Sequence, residues 1–431
     1  MRKRDYHIVD KADSKKLTEF LCKEGQLLLP LVELITDTEM ALDELIDITG
    51  RAAIEAVLTL SAQELAGAKH PGKKAGDIHW YGRQSTTVPL SNRKLRVDKP
   101  RLRRKGAGAG KELAIPAYEA ILENSHLGSR ILEILMMGVS TRNYQRILPR
   151  MAETVGVSKS AVSREFIEAS EQTFKTLCER RFDDKDIAIV YIDGIQYGQI
   201  HVMAALGVDT EGYKHVLGLR EGASENAEVV TDLLADLVNR GLTPERRRLF
   251  VIDGSKALRA GIHRVFGSAT PVQRCRIHKV RNVLSYLPEE RKADVEAALK
   301  AAFTLKADEG IAKLRKLAQW LDREYPSAAG SLREGLAEMF TINRLGLPKS
   351  LRRCLGSTNV IESPYSGVRE KTGRVKRWRD GQMALRWTAS ALLSLEKRMR
   401  RIMGYQQLWI LEAALKELDE QESVAVKERV A

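Results

Sequence analysis

Two short segments each place an aspartate directly before a glycine at the end of an apolar run. "IAIVYIDG" ends on Asp193 and Gly194, and "RLFVIDG" ends on Asp253 and Gly254. Asp and Gly are common turn residues, so either case alone would be explained by a turn. The repetition indicates instead that two strands present a carboxylate at the same relative position. Carboxylates that meet at one edge of a sheet can share divalent cations, which act on phosphoryl oxygens.

A third carboxylate would complete such a site, and the best candidate is Glu362 in "STNVIES". A structural role is also open, because Glu362 could close a capping box with Asn359 as the N-cap residue. The competing register has Ser363 as N-cap and Pro364 as the first helical residue. Three glutamates expected on the first crossover helix are rivals for the third ligand position: Glu221, Glu225 and Glu228.

The elements that must position these carboxylates can be predicted from apolar runs and turn signals. "IAIVYID" predicts a strand, and "QIHVMAALGVDTEGYKHVLGL" predicts two strands joined by a tight turn at residues 209–212. Alternating helices and strands follow. The helices are predicted in "SENAEVVTDLLADLVNR", "SKALRAGIHRVF" and "IHKVRNVLSYL", and the strands between them in "RLFVID" and "PVQRC". This β-β-β-α-β-α-β-α order is that of an α/β ribonuclease H-like fold. In that fold the first and fourth strands are neighbours, so Asp193 and Asp253 would approach each other.

An all-helical insertion is expected to interrupt this fold. From about Pro288 to Lys349 no strand pattern occurs, and the segments have helical spacing of apolar residues. "AAGSLREGLAEMF" reads as one of these helices, and we expect Trp320 to lie in their core rather than stack on a base. After the insertion, "LGSTNVIES" returns to the fold with a polar turn and a long basic helical region.

The N-terminal part is predicted to be helical over residues 14–67 and then strongly basic. Between Arg83 and Lys111 there are ten basic residues and one acidic residue, and the alternating "KLRVDKPRLR" predicts a hairpin. A charge run can be a solvated surface only, but this imbalance, with no evident apolar face, favours phosphate contact. The hairpin residues assigned to DNA are Arg101, Arg103 and Arg104.

The segment "GVSTRNYQRILPRMAETVGVSKSAVSREFIEAS" predicts two short helices, a turn at Gly156 and a third helix. Ser158 or Ser160 would cap this third helix, and Val162 and Phe166 would face inward. The pattern fits a helix-turn-helix that reads DNA, although any small helical bundle could share it. The side chains offered to the groove are Lys159, Ser160, Ser163 and Arg164.

Charge and composition point to a polyanionic partner. The 431 residues include 71 Lys plus Arg against 57 Asp plus Glu, a formal net charge of +14. No apolar run approaches the roughly 20 residues needed to cross a bilayer, and the polar N-terminus does not resemble a signal peptide. Four scattered cysteines argue against a disulfide framework. We therefore expect a soluble, cytoplasmic protein that binds nucleic acid.

The motifs "YIDG", "FVIDGSKAL", "CRIHKVRNV" and "GSTNVIES", in this order and with a helical insert before the last, resemble the Mutator family of insertion-sequence transposases. The resemblance covers about residues 100–405. It implies a DDE transposase with Asp193, Asp253 and Glu362 as catalytic and metal-binding residues. It also implies that Cys275 and His278 match the family's Cys-x-x-His element. The chain departs from the family where Pro364-Tyr365 stands in place of a Leu-Asn type sequence.

Cys275, His278 and Asn359 are expected to support the active site. A zinc site at Cys275 and His278 is disfavoured, because structural zinc needs four ligands and no second pair is suitably spaced. The expected cofactor is Mg²⁺ or Mn²⁺, with two ions. Between residues 369 and 401 eleven basic residues stand against three acidic ones, and this segment is expected to follow the DNA backbone. Its assigned contacts are Arg374, Lys376 and Arg377.

The expected function is binding of terminal inverted repeats, phosphodiester hydrolysis and strand transfer into target DNA. We expect at least two copies of the chain in the active complex, with no membrane and no small-molecule substrate. Two rivals share parts of the pattern: a ribonuclease H-like nuclease or resolvase, and a domesticated DNA-binding protein without catalysis. The expected segments are 1–75 (helical module), 76–115 (basic hairpin), 116–183 (helix-turn-helix), 184–287 (first part of the core), 288–355 (insertion), 356–405 (last part of the core) and 406–431 (helical tail).

Overall fold

A computed structural model of the chain describes residues 42–69, 76–89, 94–106, 112–123, 126–137, 154–155, 158–222 and 226–430. The fold is mixed α/β, as predicted. The chain divides into two units, one of Met1–Leu135 and Val139–Phe166, the other of Met136–Gly138 and Ile167–Ala431. None of the described helices combines the length and apolar character needed to cross a membrane.

The first unit contains a helix and a small antiparallel sheet. Its described elements are α1 (Leu42–Ala66), β1 (Ile78–Pro89), β2 (Lys94–Arg104), β3 (Glu112–Leu113), α2 (Pro116–Glu123), α3 (Leu127–Met136) and β4 (Thr154–Val155). A further helix, α4 (Lys159–Glu179), begins in this unit and continues into the second. β1 and β2 pair antiparallel, which confirms the predicted hairpin. The helical periodicity before residue 42 lies outside the described residues.

The expectation that the basic hairpin lacks an apolar face is wrong. Alternate residues of β2 point inward, and Leu95, Val97 and Leu102 are at most 2% exposed. They share one apolar cluster with Leu58 and Ala62 of α1. Because side chains alternate across a strand, the same β2 can bury its apolar residues and expose its basic ones.

The expected helix-turn-helix is described only in part, because residues 138–153 lie outside the described residues. Thr154–Val155 form a short strand paired with β2, where a helix was expected. The third helix is present as α4, and the Ser158 Oγ accepts a hydrogen bond from the Ala161 N–H at 3.2 Å. Ser158, rather than Ser160, is therefore the cap, and Val162 and Phe166 are buried as predicted.

The second unit is built around a mixed sheet. Its strands are β5 (Ile187–Tyr197), β6 (Ile200–Asp209), β7 (Lys214–Glu221), β8 (Leu249–Ile252) and β9 (Val272–Arg274). The helices between them are α5 (Ala227–Asn239) and α6 (Lys256–Phe266), with α7 (Arg276–Leu284) after β9. Among the described residues the spatial order is β7-β6-β5-β8-β9, with β5, β6 and β7 antiparallel and β8 and β9 parallel to β5. The predicted order of elements and the predicted neighbouring of the first and fourth strands are both present.

Both faces of this sheet are covered. On one face, residues such as Val190 and Ile192 of β5 form an apolar cluster with Val230 and Leu234 of α5 and Ile262 of α6. On the other face, two later helices pack against β5, β6 and β7. These are α13 (Asn359–Thr372) and α14 (Gly381–Glu396), and residues 373–380 between them are a loop, where a continuous basic helical region was expected.

Helices occupy the segment where the helical insertion was predicted, and their apolar cluster also includes Val280 and Val283 of α7. These helices are α8 (Glu289–Thr304), α9 (Ala307–Leu321), α10 (Pro326–Arg333), α11 (Thr341–Arg344) and α12 (Lys349–Leu355), and the chain ends in α15 (Leu408–Val430). The single helix expected over "AAGSLREGLAEMF" is broken, because Gly335 adopts a φ of +66°. The prediction for Trp320 is wrong: it is 44% exposed, since Leu314, Ala318 and Leu321 supply the buried face of α9.

Candidate active site

Asp193 and Asp253 occupy equivalent positions on two adjacent parallel strands. The β5–β8 pairing ends at Ile192 opposite Ile252, and each aspartate is the next residue of its chain segment. Adjacent strands lie about 4.8 Å apart, so this register places the two aspartates side by side at the same level of the sheet. The expectation that both aspartates end strands is wrong for Asp193, because β5 continues to Tyr197 through its antiparallel pairing with β6.

Glu362 lies in the first turn of α13, the helix that packs on β5. Both registers predicted for this helix start are wrong: the N-cap residue is Thr358, and Pro364 lies inside the helix. The Thr358 hydroxyl donates a hydrogen bond to Glu362 Oε1 and lies 3.4 Å from Cys275 Sγ. Asn359, expected to support the site, is exposed at the first position of α13, and Thr358 contacts the glutamate instead.

Asp193 interacts electrostatically with the other two carboxyl groups. The pKa of Asp193 is raised from its ordinary value to about 7, and burial is the largest cause. The negative charges of Asp253 and Glu362 act in the same direction. The Gly194 N–H and His278 act in the opposite direction. Negative charge is therefore concentrated at this end of the sheet, where the described contacts of the carboxylates include no lysine or arginine.

Cys275 and His278 lie beside the carboxylates. Cys275 is fully buried after β9, and its N–H donates to the Ile252 carbonyl at 2.8 Å. The neighbouring Cys275 raises the pKa of His278 to about 9, against the effect of burial, and Glu362 and Asp253 contribute in the same direction. His278 Nε2 lies 3.9 Å from Glu362 Oε1, so the imidazolium offsets part of the negative charge.

The donor set fits a hard divalent cation. Three carboxylates offer oxygen ligands only, which Mg²⁺ and Mn²⁺ prefer, and a cation would oppose both the burial and the repulsion that raise the pKa of Asp193. The side chains do not form a preformed metal site, since no three His, Cys, Asp or Glu residues in the described part of the chain are grouped to hold a metal. The Glu362 carboxylate is engaged by Thr358 and His278 instead.

Comparison with known proteins identifies the family. A family profile described as "Transposase, Mutator family" matches residues 24–400. The chain belongs to the Mutator family of transposases. It is 26% identical over 253 residues to the transposase for insertion sequence element IS6120 of Mycolicibacterium smegmatis, covering 57% of this chain and 76% of that protein.

Two other relatives of this Mutator-family chain show similar levels of identity. The transposase for insertion sequence element IST2 of Acidithiobacillus ferrooxidans is 28% identical over 223 residues, which cover 51% of this chain and 74% of the relative. The transposase for insertion sequence element IS256 in transposon Tn4001 of Staphylococcus aureus is 26% identical over 282 residues, or 62% of this chain and 70% of the relative. The family resemblance predicted from four short motifs is thus confirmed.

Two of the three rival glutamates lie in the described part of this Mutator-family chain. Glu221 was expected on the crossover helix, but it belongs to β7. Its carboxylate packs against the N-terminus of α14, where a Cβ on Gly381 would collide with Glu221 Cδ. Glu228 is exposed in the first turn of α5, and Glu225 lies outside the described residues.

The candidate DNA contacts of the first unit differ in their exposure. On α4, the side chains Lys159, Ser160, Ser163 and Arg164 are all exposed around the first turns. On the hairpin, Arg104 is exposed, whereas Arg101 and Arg103 are half-buried. Both of these contact Glu112, and the Arg103 guanidinium lies 3.5 Å from the centre of the Tyr81 ring. Part of the hairpin's positive charge is therefore already paired.

The basic segment after Glu362 is an exposed loop anchored by a tryptophan. Arg374, Lys376 and Arg377 are exposed, while the Trp378 ring packs at 4.4 Å from that of Tyr197 on β5. Arg386, counted in the basic run, cannot follow DNA because it is 7% exposed within α14. Sequence reasoning missed Trp378, although a large aromatic residue inside a run of cations is a detectable signal.

Arg274 also went undetected in the sequence. Gly254, directly after Asp253, has a φ of +112°, and a Cβ there would collide with Arg274 Nε. Arg274 is 6% exposed and donates to the Glu334 carbonyl at 3.0 Å through Nη1. The guanidinium therefore connects the Asp253 turn to the end of α10, and a residue with a Cβ at position 254 would collide with it.

Proposed function

We propose that the second unit is the ribonuclease H-like catalytic domain of a DDE transposase, with α8–α12 as an insertion between the second aspartate and the glutamate. The main support is the register that makes Asp193 and Asp253 the next residues after Ile192 and Ile252 on neighbouring parallel strands. The order of strands and helices and the electrostatic coupling of Asp193 to Glu362 agree with it. Membership of the Mutator family makes transposition the function that this site would serve.

The proposed reaction has two phosphoryl transfers at the same carboxylates. In the first, a water oxygen bonds to a phosphorus atom at the element's end, and the P–O bond to the 3′ oxygen breaks, leaving a 3′-OH. In the second, that 3′-OH oxygen bonds to a target phosphorus and displaces the target's own 3′ oxygen. Both are displacements at phosphorus with different nucleophiles, so one set of groups serves both.

Asp193, Asp253 and Glu362 would hold the divalent cations. Bound Mg²⁺ or Mn²⁺ would supply activation of the attacking oxygen and charge stabilisation of the leaving oxygen. The protein's own contribution is to place the carboxylates at one end of the sheet and to limit their repulsion. His278 serves the second purpose, because its raised pKa keeps it cationic at 3.9 Å from Glu362.

DNA recognition is assigned to surfaces outside the carboxylate cluster. The exposed start of α4 would read bases of the terminal inverted repeats as part of a helix-turn-helix, and the basic hairpin would bind phosphates. The loop with Arg374, Lys376 and Arg377 would bind the backbone near Glu362, because Trp378 fixes it to the strand that carries Asp193. In this proposal, synapsis of the two ends would bring at least two copies of the chain together.

A single-turnover assay on end-labelled DNA tests this function. The substrate is a duplex that carries the element's terminal inverted repeat, with a supercoiled plasmid as target and Mg²⁺ present. We expect cleavage at the end that exposes a 3′-OH, followed by joined end–plasmid product. Cleavage without joining would support a nuclease or resolvase, and specific binding without cleavage would support a DNA-binding protein that lacks catalysis.

A further inference from the structure

A single side-chain hydrogen bond joins the helix that carries Glu362 to the backbone of Asp193. Tyr365 lies three residues after Glu362 in α13, and it is 1% exposed. Its hydroxyl donates to the Asp193 carbonyl oxygen at 2.9 Å. One residue thus contacts the first aspartate of the proposed site while sharing a helical turn with the glutamate.

The bond reaches a residue at the end of the parallel pairing. Asp193 is the first residue of β5 beyond the last β5–β8 pair, Ile192 with Ile252, and it still pairs with Ala204 of β6. A carbonyl oxygen has two lone pairs, so the Asp193 carbonyl can accept from Tyr365 in addition to its neighbour in the sheet. The Tyr365 ring is buried, which restricts where its hydroxyl can be.

The helix itself is weakened at the same turn. Pro364 lies inside α13 and has no N–H, so the backbone ladder of the helix loses one hydrogen bond there. The orientation of the turn that carries Glu362 therefore depends on tertiary contacts. Tyr365, which follows the proline directly, provides one that ends on Asp193.

We propose that Tyr365 is a positioning residue of the active site: its hydroxyl fixes the Asp193 backbone against α13 and thereby sets the separation of the Asp193 and Glu362 carboxylates. This inference rests on the proposed function of those carboxylates. Tyr365 does not itself touch a reacting atom. It acts through the backbone of one proposed ligand and the helical turn of another.

Tyr191 provides a matched control. It lies two residues before Asp193 on β5, is fully buried, and its hydroxyl has no hydrogen-bond partner among the described residues. Tyr365→Phe and Tyr191→Phe each remove one buried oxygen and keep the ring. Loss of a hydroxyl as such would affect both variants alike, whereas loss of positioning would affect Tyr365→Phe alone.

The experiment compares full-length wild type, Tyr365→Phe, Tyr191→Phe and Asp193→Asn in three measurements: Mn²⁺ binding by electron paramagnetic resonance, binding to terminal-repeat DNA, and single-turnover cleavage. For Tyr365→Phe we expect Mn²⁺ binding about tenfold weaker and cleavage about 10- to 100-fold slower, with DNA binding unchanged. Tyr191→Phe should match wild type in all three.

The outcomes separate this inference from the function on which it rests. If Asp193→Asn weakens Mn²⁺ binding but Tyr365→Phe behaves as Tyr191→Phe does, the positioning role is wrong and the proposed function stands. A lower unfolding temperature of Tyr365→Phe, with Mn²⁺ binding and cleavage rate unchanged, would likewise show a structural role only. Equal Mn²⁺ binding by wild type and Asp193→Asn would overturn both proposals.

Discussion

Asp193 and Asp253 each follow the last residue of one parallel strand pair, so a single register places both carboxylates at the same level of the sheet. The two residues are 60 positions apart in the chain, and the intervening hairpin and α5 crossover bring them together. Glu362 is supplied by a helix that returns to β5 after the helical insertion. The site therefore depends on contacts between distant segments rather than on one local motif.

The raised pKa of Asp193 predicts a pH-dependent stability. With the folded-state pKa near 7 and an ordinary value near 3.8, the folded protein holds this proton more tightly, so wild-type stability falls as pH rises through that window. Asp193→Asn lacks this loss. In EDTA at pH 8 we expect the variant to have the larger free energy of unfolding, by up to about 4 kcal/mol. Exposure of the Asp193 carboxyl group to solvent reduces this difference.

Denaturant unfolding at a series of pH values from about 4 to 8 measures this effect. The difference between Asp193→Asn and wild type should shrink steadily toward the acidic end. Asp184→Asn is the control, because the Asp184 side chain is 76% exposed and its substitution should leave the pH profile unchanged. A difference that does not vary with pH would contradict the raised pKa.

Part of the site could be predicted because its signals are local. The apolar runs before Asp193 and Asp253 identify strands, and the order of elements is enough to place those strands side by side. The partners of Glu362 could not be predicted in this way. Thr358 as cap and Tyr365 as the link to Asp193 depend on how α13 packs on the sheet, which no local pattern encodes.

Base recognition by α4 predicts a sequence-dependent effect. Arg164 is exposed near the start of the helix, so Arg164→Ala should weaken binding to the native terminal repeat by roughly 1–3 kcal/mol and binding to random DNA only slightly. Competition binding with single-base variants of the repeat would locate the affected positions. Lys175→Ala, farther along the same helix, is a charge-matched control. Equal losses on both DNAs would make Arg164 a phosphate contact.

The basic hairpin predicts a salt-dependent and sequence-independent effect. Replacing Arg101, Arg103 and Arg104 by Ala should weaken binding to all DNA and flatten the log K against log salt slope by about 0.9 per lost contact, or at most about 2.7. Arg101 and Arg103 contact Glu112 in the free protein, so the flattening should be smaller if that pairing persists on DNA. Weaker binding with an unchanged slope would mean that the hairpin is only a folding element.

Glu112→Gln is the matched test of that pairing. It removes the negative charge that Arg101 and Arg103 contact, so binding to all DNA should strengthen if the two guanidinium groups reach phosphates.

The hairpin also shows where a charge pattern misleads. The run of ten basic residues predicted a hairpin without an apolar face. Leu95, Val97 and Leu102 nevertheless alternate along β2 and pack it against α1.

Trp320 and β5 show the same limit for the second unit. Helical spacing predicted that Trp320 is in the core, but spacing does not decide which face of α9 is buried, and smaller residues fill that face. The Asp-Gly pair predicted the end of a strand at Asp193, but pairing with β6 extends β5 to Tyr197. In both cases a long-range contact decided the local outcome.

Asp193, Asp253 and Glu362 are proposed to act together in metal-dependent catalysis. Single-turnover cleavage of terminal-repeat DNA by Asp193→Asn, Asp253→Asn and Glu362→Gln, with end binding measured in parallel, tests this proposal most directly. We expect each variant to lose cleavage and strand transfer while binding the end almost as wild type does, because each change removes a metal ligand and no DNA contact. Mg²⁺-dependent cleavage retained by any one of them would contradict the assignment of that residue.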